Sequence, residues 1–442
     1  MHEQRGIPRH RLCTLLVGAL ILFICASRQS AAQTTPRYPF PQHVAYAPGT
    51  IRPNHRTQAQ LDDDVRAAYS RWKSYYLAPA GAESDGTPRY RVRFGTAPSS
   101  KTVSEGQGYG MMIVALMAGA DPNARTYFDG LWHFFNDHRS AGDRRLMDWT
   151  VPADEHDDGD NDSAFDGDAD IAFGLLLADR QWGGSGKIAY RREAEDVIAG
   201  ILAAEIGPQS RLPMLGDWVK SGGDPKYNQY TPRPSDFMPD HFRAFARATG
   251  NSVWLQVATA CQNAAVSLQN SYAPATGLLP DFAVPLSTTN HTLQPAPPNF
   301  LENPTDGDYS YNAGRVPWRF AADALLTSDS VSATVARRIT RWARAAAAGN
   351  PRNIKPGYHL DGTPIPPGDY FTIFFAAPIG VAAMTAPEQQ AWLNAIYDAV
   401  RTAHEGYYED TVTLLCLLVM TANGWDPTNP PAAPSAARLW PW

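Results

Sequence analysis

Cysteine is nearly absent from this chain of 442 residues: four are present, and Cys13 and Cys25 lie in an N-terminal segment with the marks of an export signal. That leaves Cys261 and Cys416, both in apolar helical contexts: the sequence does not decide whether they pair, and the reading taken is two buried free thiols. Cys and His do not recur at metal-ligand spacing, and no metal or other cofactor is expected. A basic stripe is missing as well: Lys and Arg total 38 against 44 for Asp and Glu, for a net charge of −6, which argues against nucleic acid as a partner. Long apolar runs are lacking outside Leu12 to Ala26, which is too short to span a bilayer comfortably. No internal repeat and no long alternating strand pattern is visible.

What is present begins with that leader. Arg5, Arg9 and Arg11, the apolar run, then Ser30, Ala31 and Ala32 before Gln33 give residues 1–32 the form of a secretory signal peptide. Ile24 fits a lipoprotein box poorly, so a soluble secreted product is expected, extracellular or periplasmic, with no membrane association after processing. The segment takes four arginines and one glutamate with it, moving the net charge to −9. Residues 33–55 read as an extended segment, 56–425 as one domain, and 426–442, with Pro430, Pro431 and Pro434, as a Pro-rich tail.

Helical periodicity dominates the domain. Leu61, Val65, Ala68 and Trp72 form one stripe, and further helices are expected near 124–138, 186–205, 237–249, 251–270, 331–349, 369–384, 388–405 and 408–424. Helices after 107, after 166 and near 313–325 bring the count to about twelve, the number an all-α (α/α)6 barrel requires. Long Pro-, Gly- and Asn-rich loops at 150–163, 206–235 and 280–308 are where a rigid scaffold carries function.

Two segments stand out chemically. Ser104-Glu105-Gly106-Gln107-Gly108-Tyr109-Gly110-Met111 sets one carboxylate among three alternating glycines, which would let a bulky ligand approach the backbone. Ser104 and Gln107 have capping-box spacing, so a helix is expected to start there. In Asp166-Gly167-Asp168-Ala169-Asp170, the apolar positions that follow place Asp166 and Asp168 at or before a helix start and Asp170 in its first turn. Asp166 is either an N-cap or a group that hydrogen-bonds a ligand's hydroxyls.

Together these segments resemble glycoside hydrolase family 8. The first matches its Ser-Glu-Gly-x-Gly-Tyr-Gly-Met motif without a gap; the second resembles its Asp-rich helix, departing at Phe165 and Gly174. A third block, Tyr309-Ser310-Tyr311-Asn312-Ala313-Gly314-Arg315-Val316-Pro317-Trp318-Arg319, follows in order, and the resemblance runs from about Leu61 to Trp425. It implies an inverting endo-hydrolase of β-1,4 linkages, using a protonated carboxyl and a carboxylate that activates water. Glu105 is the candidate acid.

For the base, the resemblance points to a branch of the family. The best-known branch has Asp where this chain has Asn312, and an amide is no Brønsted base. The branch with Asn there, which includes chitosanases and mixed-linkage glucanases, implies a Glu from a segment just upstream. Glu302 is the only Glu between Glu205 and Glu388; Asp306, Asp308 and Asp281 remain competitors. Asp166, Tyr109, Asn312 and Arg315 are expected to bind substrate, Arg315 and Arg319 to orient carboxylates, and Trp149 and Trp218 to stack on pyranose faces. The expected partner is a polysaccharide, β-glucan first and chitosan as the alternative favoured by Asn312 and the acidity, acted on by a monomer. From another class, a catalytically silent glycan-binding protein would read Asn312 as a lost base. The acidic run Asp154 to Asp162 fits no EF-hand loop and reads as a solvated loop.

Overall fold

The computed structural model describes residues 35–184, 186–222 and 224–431. Residues 1–34, including the leader, and 432–442, most of the tail, lie outside them. Among the described residues there are twelve α-helices: α1 Gln58–Tyr76, α2 Ser104–Leu116, α3 Ala124–Asp137, α4 Phe165–Trp182, α5 Tyr190–Ala204 and α6 Pro239–Thr249. The rest are α7 Val253–Tyr272, α8 Val316–Thr327, α9 Ser330–Ala346, α10 Ile373–Ala383, α11 Gln390–Val400 and α12 Tyr407–Met420.

Packing sorts them into two rings. α2, α4, α6, α8, α10 and α12 touch in that order and close back on α2, while α1, α3, α5, α7, α9 and α11 each back onto an inner neighbour. This is an (α/α)6 barrel. Sequence patterning explains the division: every residue of α10 is buried, as is nearly all of α2 and α4, whereas α9 buries one stripe and exposes Arg341 and Arg344. Local signals set several ends. Thr57 and Gln60 form a reciprocal capping box on α1, Asp329 caps α9, and Gly250 ends α6 at φ 70°.

Short antiparallel pairs decorate the barrel: β1 Leu77–Ala82 with β2 Pro88–Val92, β3 Thr102–Val103 with β4 Thr150–Val151, and β5 Ala283–Pro285 with β6 Leu293–Pro295. Residues 35–57 contain no helix or strand and cross the barrel end opposite the site, with Phe40 N bonded to Ala118 O and Ile51 N to Met384 O. Residues 426–428, read from sequence as the start of the tail, are instead held in place. Asp426 pairs with Arg247, and Pro427 O accepts from Arg180 Nε at 2.6 Å. Cys261 and Cys416 are buried and unpaired. No helix among the described residues is long and apolar enough to cross a membrane.

Two local expectations need correction. α2 begins at Ser104 with Val103 as N-cap, and no side-chain cap is made. Gln107 turns inward, accepting from Val92 N (3.1 Å) and donating to Leu131 O (2.9 Å), because a buried amide must find partners in the neighbouring strand and helix. The glycines serve protein packing, not ligand approach. A Cβ at Gly106 would fall 2.2 Å from the Tyr407 hydroxyl, at Gly108 2.9 Å from Gly167 O, and at Gly110 2.5 Å from Val92.

Candidate active site

The N-terminal ends of the inner helices converge at one end of the barrel, and the polar residues singled out from sequence gather there. Glu105 opens α2, Asp166 opens α4, Asn312 and Arg315 form the 3-10 turn entering α8, and Tyr407 and Tyr408 open α12. Asp166 is not an N-cap: Ala164 holds that position, Asp166 lies in the first turn, and Asp170 falls a turn deeper.

Arg315, fully buried, is the hub. Its Nη1 donates to Asp166 Oδ2 at 2.7 Å, Glu105 Oε2 at 3.0 Å and the Tyr109 hydroxyl at 3.3 Å. Its Nη2 donates to Ser235 Oγ (2.9 Å) and Asn312 Oδ1 (3.2 Å). Asn312 in turn donates from Nδ2 to Glu302 Oε2 at 2.9 Å. One connected path therefore runs Glu105–Arg315–Asn312–Glu302, with Asp166 on a side branch.

Electrostatics separate the carboxyls. Glu105 keeps only 17% of its side-chain surface, and Oε1 has no hydrogen-bond partner among the described residues. Burial lifts its pKa to about 7, with Asp166 adding to the rise against the pull of Arg315. Burial alone would raise Asp166 too, but Arg233 and Arg315 hold it below its ordinary value. One carboxyl keeps a proton near neutrality while its neighbour stays ionised.

The loop that carries Glu302 is built by the two remaining carboxylates of that stretch. Asp306, buried, accepts from the backbone N–H of Leu301 (2.6 Å), Glu302 (3.0 Å) and Asn303 (3.0 Å), so it is spent on shaping the turn. Asp308 pairs with His359 at 2.9 Å. Asp281 accepts from Ser310 N (3.1 Å) and Ala313 N (2.6 Å) beneath Asn312, and burial pushes it up to about 8. Beneath the loop, Phe300 packs with Met214, Val219, Phe282 and Ala296 in a small satellite core, and Tyr227 donates to Phe300 O at 2.9 Å.

Trp218 joins that satellite core edge-on to Tyr227 at 5.2 Å, half-buried. Trp149, half-buried, carries the Lys101 ammonium 4.6 Å from its ring centroid, and its carbonyl accepts from Ser104 N. Arg319 is bidentate on Asp170 at 3.0 and 2.6 Å. The acidic run is exposed at Asp154 and from His156 to Asp160, while Asn161, Asp162 and Glu155 are partly buried, Glu155 pairing with Arg89; no group of three His, Cys, Asp or Glu side chains among the described residues is arranged for a metal.

Sequence reading missed Arg233, Ser235 and Asp236, at the 3-10 turn Pro234–Asp236 that Arg233 precedes and that ends the loop before α6, and the exposed aromatics Phe94 and Tyr311 at the mouth. An Arg and Asp three apart between prolines was the available signal for the first group. For Phe94 there was none, since only the fold sets it 4.8 Å from Tyr407.

A helical double barrel with a proton-bearing Glu, an ionised Asp and a second Glu along one hydrogen-bonded path has the makings of a glycoside hydrolase. The sequence profile of glycosyl hydrolases family 8 matches residues 56–422, and the chain belongs to that family. It is 41% identical to a beta-glucanase of Niallia circulans over 96% of this chain and 100% of that one. It is 39% identical to an endoglucanase of Bacillus sp. (strain KSM-330), over 91% of this chain and 85% of that one. Among solved structures, a beta-1,3-1,4-glucanase from Paenibacillus sp. X4 superposes with a TM-score of 0.83 at 42% identity, covering 88% of this chain and 100% of that one. A xylanase from Teredinibacter turnerae, 18% identical with a TM-score of 0.71 over 87% and 100%, shares the fold.

Proposed function

We propose that this protein is an inverting endo-β-1,4-glucanase acting on β-glucan, cellulose-type or mixed-linkage, with Glu105 as general acid and Glu302 as general base. The observation that carries the reading is the path Glu105–Arg315–Asn312–Glu302, which joins a carboxyl pushed up to about 7 to a solvent-facing carboxylate. Glu105 gives its proton to the glycosidic oxygen as the C1–O bond breaks. A water loses its proton to Glu302 as its oxygen bonds to C1 from the opposite face, and the configuration inverts. Asp166, kept ionised by Arg233 and Arg315, faces the positive charge that develops on the sugar. Asn312 supplies a hydrogen bond that aims Glu302. Trp149, Trp218, Phe94 and Tyr311 are the stacking surfaces for flanking sugars.

The glucan assignment is supported by the two enzymes of about 40% identity, a beta-glucanase and an endoglucanase. Chitosan is the alternative that the exposed carboxylates of the 154–162 loop favour. Export by the N-terminal segment and action as a monomer complete the proposal; N-terminal sequencing of the secreted product and its sedimentation would check both.

The deciding experiment is product release from carboxymethyl-cellulose, mixed-linkage β-glucan, xylan and chitosan, with Glu105→Gln and Glu302→Gln alongside. Glucan hydrolysis lost in both variants, with anomeric inversion by NMR, is the expected result. Activity confined to chitosan would move the substrate, and binding without hydrolysis on all four would make this a silent glycan-binding protein.

A further inference from the structure

The active-site carboxyls have a counterpart one turn deeper in the barrel. On α2 Tyr109 lies four residues after Glu105, on α4 Asp170 lies four after Asp166, and on α8 Arg319 lies four after Arg315. Four residues advance a helix by about 6 Å, so three helices present the same face twice. The upper tier is Glu105, Asp166 and Arg315; the lower is Tyr109, Asp170 and Arg319. Both arginines reach Asp partners on α4, although α4 and α8 are separated by α6 in the inner ring.

The lower tier differs in being sealed. Asp170, Arg319 and His241 keep 0%, 1% and 4% of their side-chain surface. Arg319 holds both oxygens of Asp170, and its guanidinium carbon lies 5.8 Å from the Tyr109 ring centroid. His241 Nε2 meets Asp170 Oδ1 at 2.9 Å while Nδ1 faces Asp240 Oδ1 at 3.0 Å, and the ring stacks on Phe173 at 4.0 Å. The other ionisable groups around it are Asp323, held by Arg243 at 2.9 Å, and the Cys416 thiol of α12. Tyr109 bridges the tiers through its hydroxyl to Arg315.

We infer that Asp170, Arg319 and His241 are positioning residues that never touch the sugar and that set, through Tyr109 and the buried barrel interior, the alkaline limit at which Glu105 still serves as acid. Charges this deep are poorly screened, so one added or removed a turn away is felt at the upper carboxyl. Burial is the main cause of the raised Glu105 pKa, and the negative charge of Asp170 is among the contributions that push it up. The inference rests on Glu105 being the acid.

The signs follow from the charges. Asp170→Asn removes a negative charge and leaves Arg319 unbalanced, so Glu105 loses its proton more easily and the alkaline limb of kcat/KM moves to lower pH. Arg319→Gln removes a positive charge and moves that limb to higher pH. Arg319→Lys keeps the charge and leaves the limb where it was. Shifts of roughly half a pH unit or more are expected. The readout is the pH profile on mixed-linkage β-glucan, paired with a 13C titration of labelled glutamates in which the Glu105 signal is assigned by its loss in Glu105→Gln. A variant that merely loosens the barrel lowers kcat at every pH and moves neither limb. Opposite shifts in Asp170→Asn and Arg319→Gln, absent in Arg319→Lys, support the inference. Shifts of one sign, or none in the titration, overturn it. Should Arg319→Gln fail to fold, Asp170→Asn against Arg319→Lys still decides. If Glu105→Gln retains activity, the acid assignment itself fails, and this is distinguishable because no lower-tier variant enters that result.

Discussion

Removing the Asp306 carboxylate should disable hydrolysis without disabling the barrel. Three backbone N–H groups, those of Leu301, Glu302 and Asn303, point at its two oxygens, and those three residues are the turn on which Glu302 stands. A hydrogen bond to a charged group contributes about 1.5–3 kcal/mol net, so three sum to about 5 kcal/mol or more if all are lost to a dry site. The turn is not dry: Leu301 and Glu302 are exposed, and water can satisfy their N–H groups once the turn opens. A local cost of about 3 kcal/mol in Asp306→Ala is therefore the better figure, which places the native turn in roughly one molecule in a hundred if its stability was near zero beforehand. Since the proposed base, Glu302, is the one proposed catalytic group on this turn, kcat on mixed-linkage β-glucan should fall about 100-fold. KM and the affinity for cello-oligosaccharides should change little, and the melting temperature should drop by no more than a few degrees. Asp306→Asn, which keeps one acceptor oxygen, should lie between. An unchanged kcat in Asp306→Ala would refute the claim that this carboxylate builds the catalytic turn; a collapse of the melting temperature would refute its confinement to the loop.

Three further outcomes follow from other parts of the structure. Activity should fall as pH rises through about 7, because burial raises Glu105 to about 7 and only its protonated form donates; a profile flat to pH 9 would contradict this. Gly108→Ala should cost about 2 kcal/mol in urea unfolding even though alanine favours helix, because the added methyl would meet Gly167 O at 2.9 Å and Ile171 N at 3.0 Å, both backbone atoms of α4. Asp281, with burial as the main cause, holds its proton to about 8 in the folded state against 3.8 as a free side chain. Its contribution to stability is thus complete at low pH and is lost as pH rises through about 8, on the order of a few kcal/mol; Asp281→Asn should flatten this decline, and Asp281→Ala should orphan two N–H groups and destabilise at every pH.

What the sequence could reveal and what it could not divide along a physical line. A barrel helix of either ring repeats its buried apolar residues at helical spacing whatever it packs on, so the stripe of outer α1 and the apolar runs of inner α4, α10 and α12 were legible, and with them the twelve-helix count. Glu105 and Asp166 were legible because they sit in the first turn of a helix, where a carboxylate is favoured electrostatically, whereas Glu302, in a loop without periodicity, was reached only through the family resemblance. The glycines themselves were misread, because what a missing side chain makes room for lies on another helix: Tyr407 for Gly106, α4 for Gly108, Val92 for Gly110. Gln107 was misread for the same reason, since its partners lie 15 to 24 residues away. Arg233 is the instructive omission. It lies in a loop with no periodicity, and its importance comes from Asp166 at 3.1 Å, a contact made only when α4 and the turn before α6 close the ring. Charge balance could have pointed to it: buried carboxyls at the starts of α2 and α4 require buried cations, and Arg315 alone cannot neutralise Asp166 while leaving Glu105 its proton. A second guanidinium was therefore needed near Asp166, and the only arginines in the 206–235 loop that leads into α6 are Arg211 and Arg233. Of these, Arg233 stands against the inner-ring turn, where Asp236 holds it at 3.1 Å and aims it at the site.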